Sequence, residues 1–130
     1  MDGMREVQTP MSVAEAVTAI TDILRQKGIT IFGQYDHAAN ARSVNLALAE
    51  ETVIVFGAPA VGTTLMQENP DIGYELPSRL LIRDDHGTTL LTYRDPVALG
   101  ASYGISPSTL PLQHLSQLFD ALIAAVEIRT

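Results

Sequence analysis

Two helical stripes of apolar residues lie near the two ends of the chain. Val13, Val17, Ile20 and Leu24 recur at intervals of 4, 3 and 4, and Leu112, Leu115, Phe119, Leu122 and Val126 recur at 3, 4, 3 and 4. Such spacing places each set on one face of a helix, and each face needs an apolar partner. Leu118 and Ile123 broaden the second stripe beyond a coiled-coil seam, which favours packing on a core. Ser12 and Glu15 form an S-x-x-E capping box that starts the first helix, and Gly28 supplies the left-handed stop.

The stretch between the stripes supplies the partner. Ile29–Tyr35 is rich in β-branched and aromatic residues, with Gly33 marking a bulge or close backbone approach. The run Val53, Ile54, Val55, Phe56 within Glu51–Gly57 reads as a strand covered on both faces or nearly so, and hence as the central one. Arg79–Arg83 and Thr88–Tyr93 form a hairpin across Asp84-Asp85-His86-Gly87, with Gly87 at positive φ. Met4–Val7 adds a short edge strand before Thr9-Pro10. Shorter helices are expected from Asp36 to about Leu48, over Thr63–Glu68 before Asn69-Pro70, and from Asp95-Pro96 toward Tyr103. The fold class is therefore α+β: a two-layer domain with a mostly antiparallel sheet covered on one face by two long amphipathic helices. With 130 residues, no repeat and no linker, a single domain spans 1–130.

Composition narrows the chemistry. The absence of cysteine excludes disulfides, thiolate metal sites and cysteine nucleophiles. A net charge of −7 with scattered basic residues argues against nucleic-acid binding, which needs a basic stripe. No apolar run approaches the roughly 20 residues that cross a bilayer. The polar first residues resemble neither a secretory nor a transit peptide, so a cytoplasmic location is expected.

Three groups of residues are candidate site elements. Gly57-Ala58-Pro59-Ala60-Val61-Gly62-Thr63-Thr64 matches G-x-x-x-x-G-x-T between a strand and a helix, with Thr63 in place of the phosphate-loop lysine. Backbone amides at such a turn can hold a small anion, whereas nucleotide hydrolysis lacks its lysine; short glycine motifs recur by chance, so a purely structural turn is the favoured reading of the same residues. His37 follows Asp36, while His86 and His114 stand far off, so no metal-ligand spacing of histidines exists. Tyr35, Tyr74, Tyr93 and Tyr103 offer apolar rings with polar tips for a pocket or for the core edge. No serine elbow or Ser-His-Asp set can be assigned.

Several motifs carry a resemblance. Asp36-His37 with Ala41, Phe56-Gly57-x-Pro59, Gly62-Thr63-x-Leu65-Met66, Pro70, Glu75-Leu76-Pro77, Tyr93, Pro96 and Leu99 together resemble the domain of unknown function 302 family over nearly the whole chain. Ala58 stands where that family usually has Asn, Glu75 where Asp is frequent, and Arg42–Leu46 lacks a glycine common there. The resemblance implies a small α+β domain paired as a homodimer, without an established activity. It also brings Asp36, His37 and Glu75 into one neighbourhood, as the centre of a possible enzymatic or metal site. No cofactor is called for. The functional expectation is a homodimeric module binding a protein or a small ligand, anionic or partly apolar, through Asp36, His37, Gly57, Pro59, Gly62, Thr63, Thr64 and Glu75. The alternative is a small-molecule enzyme.

Overall fold

A computed structural model describes residues 3–127. Five strands form one antiparallel sheet in the order β1-β5-β4-β3-β2, with β1 Met4–Thr9, β2 Thr30–Asp36, β3 Glu51–Gly57, β4 Ser78–Asp85 and β5 Thr88–Arg94. The long helices α1 (Val13–Gln26) and α5 (Leu110–Val126) pack on one face and on each other. The expected α+β architecture, with both apolar stripes turned onto the sheet, is what the chain adopts. Ile20 and Leu24 of α1 and Leu112, Leu122 and Val126 of α5 are fully buried against Ile54, Phe56, Leu80, Ile82 and Leu91. Each such side chain contributes roughly 1.5–3 kcal/mol by leaving water.

Local chemistry sets the ends of the elements. The capping box is present: the Glu15 amide donates to Ser12 Oγ at 3.1 Å, and the Ser12 amide to Glu15 Oε1 at 2.8 Å. At its far end the Gly28 amide donates to the Arg25 carbonyl and the Ile29 amide to that of Leu24, with Gly28 at φ 69°. This Schellman pattern requires a left-handed residue. The same pattern corrects the expected helix from Asp36 to Leu48. Helix α2 covers His37–Ser43 only, because Asn45 turns left-handed (φ 63°) and the Asn45 and Leu46 amides close back onto Arg42 and Ala41.

Two other expectations change, and a third is met with an addition. β3 is not the central strand; β4 is, and β3 alternates between buried and half-buried residues. Its apolar run places Val53 and Val55 on the sheet face that the long helices leave open. The turn expected over Ala58–Gly62 is helical: α3 spans Pro59–Glu68, since Pro59 has the fixed φ suited to a first helical position. In the hairpin, His86 (φ 52°) shares the left-handed conformation with Gly87 (φ 96°), as a two-residue turn matching the strand twist demands. The remaining elements are a 3-10 turn over Pro70–Tyr74, which precedes a cis Leu76–Pro77 bond, and α4, Pro96–Ser102.

One departure from a regular sheet matters for the site. The β4–β5 ladder runs from Asp85↔Thr88 to Leu81↔Thr92 and stops. Beyond it, Ser78, Arg79 and Leu80 pair with β3, whereas Tyr93 and Arg94 pair with β1. The sheet is therefore slit at one end, and Phe119 of α5 lies beneath, stacked on Tyr93 at 4.7 Å and tilted against Phe56 at 5.5 Å between ring centres.

Across the fold, the buried Thr9 hydroxyl donates to the Val126 carbonyl at 2.7 Å and accepts from the Met11 amide at 3.2 Å. It fastens the end of β1 to the last turn of α5. Thr9→Val keeps the shape and removes both bonds, so urea denaturation should show a loss of about 1–2 kcal/mol, with Thr9→Ser largely retaining stability.

Candidate functional site

Two cavities flank the slit end of the sheet. The first, of about 350 Å³, lies where β3 passes into α3 and is closed by α5 and the segment after the 3-10 turn. Its walls include Ile29, Phe32, Val61, Leu65, Met66, Leu76, Pro77, Leu115 and Leu118, and no Asp, Glu, Lys or Arg lines it. The side chains of Thr63, Ser78 and His114 are its polar points. None of the three makes a side-chain hydrogen bond within the described residues. Their donors and acceptors are open to a guest or to water.

This cavity holds the glycine-rich segment, though not as an anion cradle. Gly57, Pro59, Gly62 and Thr63 are wall residues, while Thr64 is not. The Gly62 amide is spent on the Ala58 carbonyl at 3.1 Å, Thr64 Oγ1 donates to the Ala60 carbonyl at 2.7 Å, and Pro59 has no amide hydrogen to offer. The phosphate-loop spacing is thus the consequence of a strand running straight into a proline-initiated helix. Gly62 has another use: a Cβ added there would meet only Leu76 and Met66, at 3.8 and 3.9 Å, so its missing side chain leaves room in the cavity.

The second cavity, of about 850 Å³, is the cleft at the slit itself. His37, Glu51, Tyr74, Glu75, Arg79 and Arg94 line it with Val53, Leu81, Leu99, Leu115 and Phe119. Ser78 and Leu115 belong to both cavities and form the partition between them. Of the expected trio, His37 and Glu75 share this cleft. Asp36 does not line it, and its carboxylate caps α2 by accepting from the Ala39 amide at 2.9 Å. The expectation of one centre made from all three is corrected accordingly, and among the described residues no group of three His, Asp or Glu side chains is arranged to hold a metal ion.

Glu75 works within a different set. Its Oε2 accepts from the Tyr103 hydroxyl at 2.8 Å, and its Oε1 lies 3.6 Å from Arg94 Nη1. Arg94 Nη2 donates to Ser102 Oγ at 2.7 Å, and Asn69 Nδ2 holds the Tyr103 carbonyl at 3.0 Å. Arg94 and Glu75 are 17% and 25% exposed, so the pair is less screened than the surface bridges of this chain. Neither Arg94 nor Tyr103 stands near Glu75 in sequence, and only the folding of α4 beside the 3-10 turn assembles them.

The hydrogen bond to Glu75 holds the Tyr103 phenol above its ordinary value of 10.0, with desolvation adding to the effect. Its proton is favoured in the folded state. The contribution is present in full below about pH 10 and is lost as pH rises through the elevated value. In a ring-carbon NMR titration, Tyr103 should ionise above 10.0, and Glu75→Gln should return the midpoint toward it.

Similar proteins place the chain in a family. A crystal structure of an uncharacterized conserved DUF302 protein from Bacillus stearothermophilus superposes with a TM-score of 0.83, at 16% identity, covering 98% of this chain and 100% of that one. At that identity the likeness concerns the fold. Proteins named fluoride-specific ion channel FluC 1, from Brucella suis biovar 1 (strain 1330) and Brucella abortus biovar 1 (strain 9-941), are each 34% identical over 108 residues, or 82% of this chain. The match takes in 42% and 40% of their lengths, so the chain spans about two-fifths of those relatives. No helix among the described residues is long and apolar enough to cross a membrane. The family model described as domain of unknown function DUF302 matches residues 5–126, and the chain belongs to that family.

Proposed function

We propose that the protein is a binding module for a small, uncharged and mainly apolar molecule, held in the cavity between β3, α3 and α5. The observation that carries this reading is the cavity wall, lined mainly by apolar side chains and by no Asp, Glu, Lys or Arg. A volume of about 350 Å³ falls in the range of small-molecule sites. An ion entering it would lose its hydration and meet no countercharge, at a cost far above that of a buried hydroxyl or carbonyl. Of the two ligand classes expected from sequence, anionic or partly apolar, the second is supported. Thr63, Ser78 and His114 suit one oxygen function on the guest. Binding is preferred to catalysis because the polar groups are few and none forms an acid–base pair within the cavity. The channel named in the Brucella relatives implies no conduction by this domain; a sensing or accessory role beside such a channel is compatible with a binding module.

The test uses 1-octanol as probe. It should raise the melting temperature and give saturable shifts at Ile29 and Met66. Gly62→Leu should abolish both by filling the cavity, while the fold holds or gains up to about 0.8 kcal/mol from helix propensity. Absence of any octanol effect on the unmodified protein would overturn the reading.

The module acts as a homodimer in the cytoplasm in this proposal. Support for pairing comes from the edge strand β2 and the segment that follows α2, where Phe32, Tyr35, Val44, Leu46 and Leu48 are all exposed. An open edge bordered by apolar side chains is an association surface unless something covers it. Sedimentation equilibrium should give twice 14.0 kDa at micromolar concentration, and Leu46→Asp should give the monomer mass.

A further inference from the structure

Arg79 stands apart from the other arginines of the described residues. Arg5, Arg25, Arg42, Arg83 and Arg94 each have a carboxylate partner, whereas Arg79 has neither an ion pair nor a side-chain hydrogen bond. In a chain with 15 acidic residues, this leaves one guanidinium unmatched at the open cleft. Arg79 is exposed at the mouth of the cleft, and its nearest neighbours on the sheet face are apolar. On the open face of the sheet Arg79 sits opposite Val55, and Leu81, two positions along β4, sits opposite Val53. From there the slit leads inward to Leu99, Leu115 and Phe119.

The acidic groups of the cleft do not fill the vacancy. Glu75 is already engaged by Tyr103 and Arg94. Glu51 lies four residues from Val55 along β3, roughly 13 Å from the level of Arg79 at the strand rise. At that distance its charge is largely screened at physiological salt. A bidentate, charge-assisted pairing is the interaction a free guanidinium is shaped for, and the apolar floor beyond it suits a hydrocarbon or ring.

We infer that the cleft where β4 and β5 part is a second binding site, for an amphipathic carboxylate whose head group pairs with Arg79 and whose apolar body enters the slit toward Phe119. This site is separate from the uncharged cavity behind Ser78 and Leu115 and does not depend on that cavity being a binding site. The two differ in what they favour: the cavity offers no lysine, arginine or carboxylate, and the cleft selects an anion by the guanidinium that is left unpaired among the described residues.

Octanoate and 1-octanol, which share a chain length and differ in charge, separate the sites by methyl and amide NMR of the whole chain. Octanoate should give saturable shifts at the Leu81 and Leu99 methyls. Arg79→Gln should weaken that affinity about 10- to 100-fold, the loss expected for hydrogen bonds to a charged group, with the amide spectrum showing an intact fold. Arg79→Lys, which keeps the charge without the fork, should fall between the two. Octanoate shifts confined to Ile29 and Met66, no saturable shift at Leu81 and Leu99, or equal affinity in Arg79→Gln would overturn the inference. Failure of octanol to reach Ile29 and Met66 would instead overturn the reading of the uncharged cavity and leave this one standing.

Discussion

The aromatic contact of Phe119 with Tyr93 and Phe56 holds together a sheet that its own hydrogen bonds leave divided. β5 carries Tyr93, β3 carries Phe56, and the β4–β5 ladder has already ended at Leu81 and Thr92 where these rings meet. Offset and tilted ring pairs add roughly 0.5–1.5 kcal/mol each beyond the area they bury. The stack bridges the gap from the helical side and leaves the opposite side of the slit accessible. The cleft follows from that geometry, since a continuous β4–β5 ladder would close it.

The segment from Glu75 to Ser78 separates the two cavities. Leu76 and Pro77 face the uncharged one, Glu75 faces the cleft, and Ser78 reaches both. The cis Leu76–Pro77 bond lies within this wall, and Glu75 is secured by the Tyr103 hydroxyl and by Arg94. The electrostatic division of the two spaces is thereby built into four consecutive residues. On one side the chain offers carbon, and on the other it offers a neutralised carboxylate next to an unpaired guanidinium.

Much of the architecture was legible because it rests on local periodicity. The stripes of α1 and α5, the Ser12–Glu15 capping box, the Gly28 stop and the hairpin are short-range signals, and the fold obeys each of them. The errors arose where two causes produce one pattern. An unbroken apolar strand can be covered on both faces or can present a half-covered outer face, and Val53 and Val55 do the latter. A Gly-to-Gly spacing can belong to a phosphate loop or to a helix begun by proline. The candidate site was legible only in part. Gly57, Pro59, Gly62 and Thr63 do share a cavity wall, and His37 and Glu75 do share a cleft. Tyr103 was visible as a ring with a polar tip, but its pairing with Glu75, that of Arg94, and the lack of one at Arg79 were not, because partners more than 15 residues away are set by tertiary folding.

The slit also makes the sheet mechanically uneven. Five residue pairs join β4 to β5 at the hairpin end, with Asp84 Oδ1 accepting from the Gly87 amide at the turn. At the other end, the β1–β5 pair and the β2–β3–β4 group meet through side chains, by the rings stacked on Phe119 and by the ion pair of Arg94 with Glu75. Two blades riveted by backbone hydrogen bonds at one end are thus held by side chains at the other. The cohesion of the sheet therefore changes in kind along its length, from ladder hydrogen bonds at the hairpin to buried rings and one ion pair at Phe119.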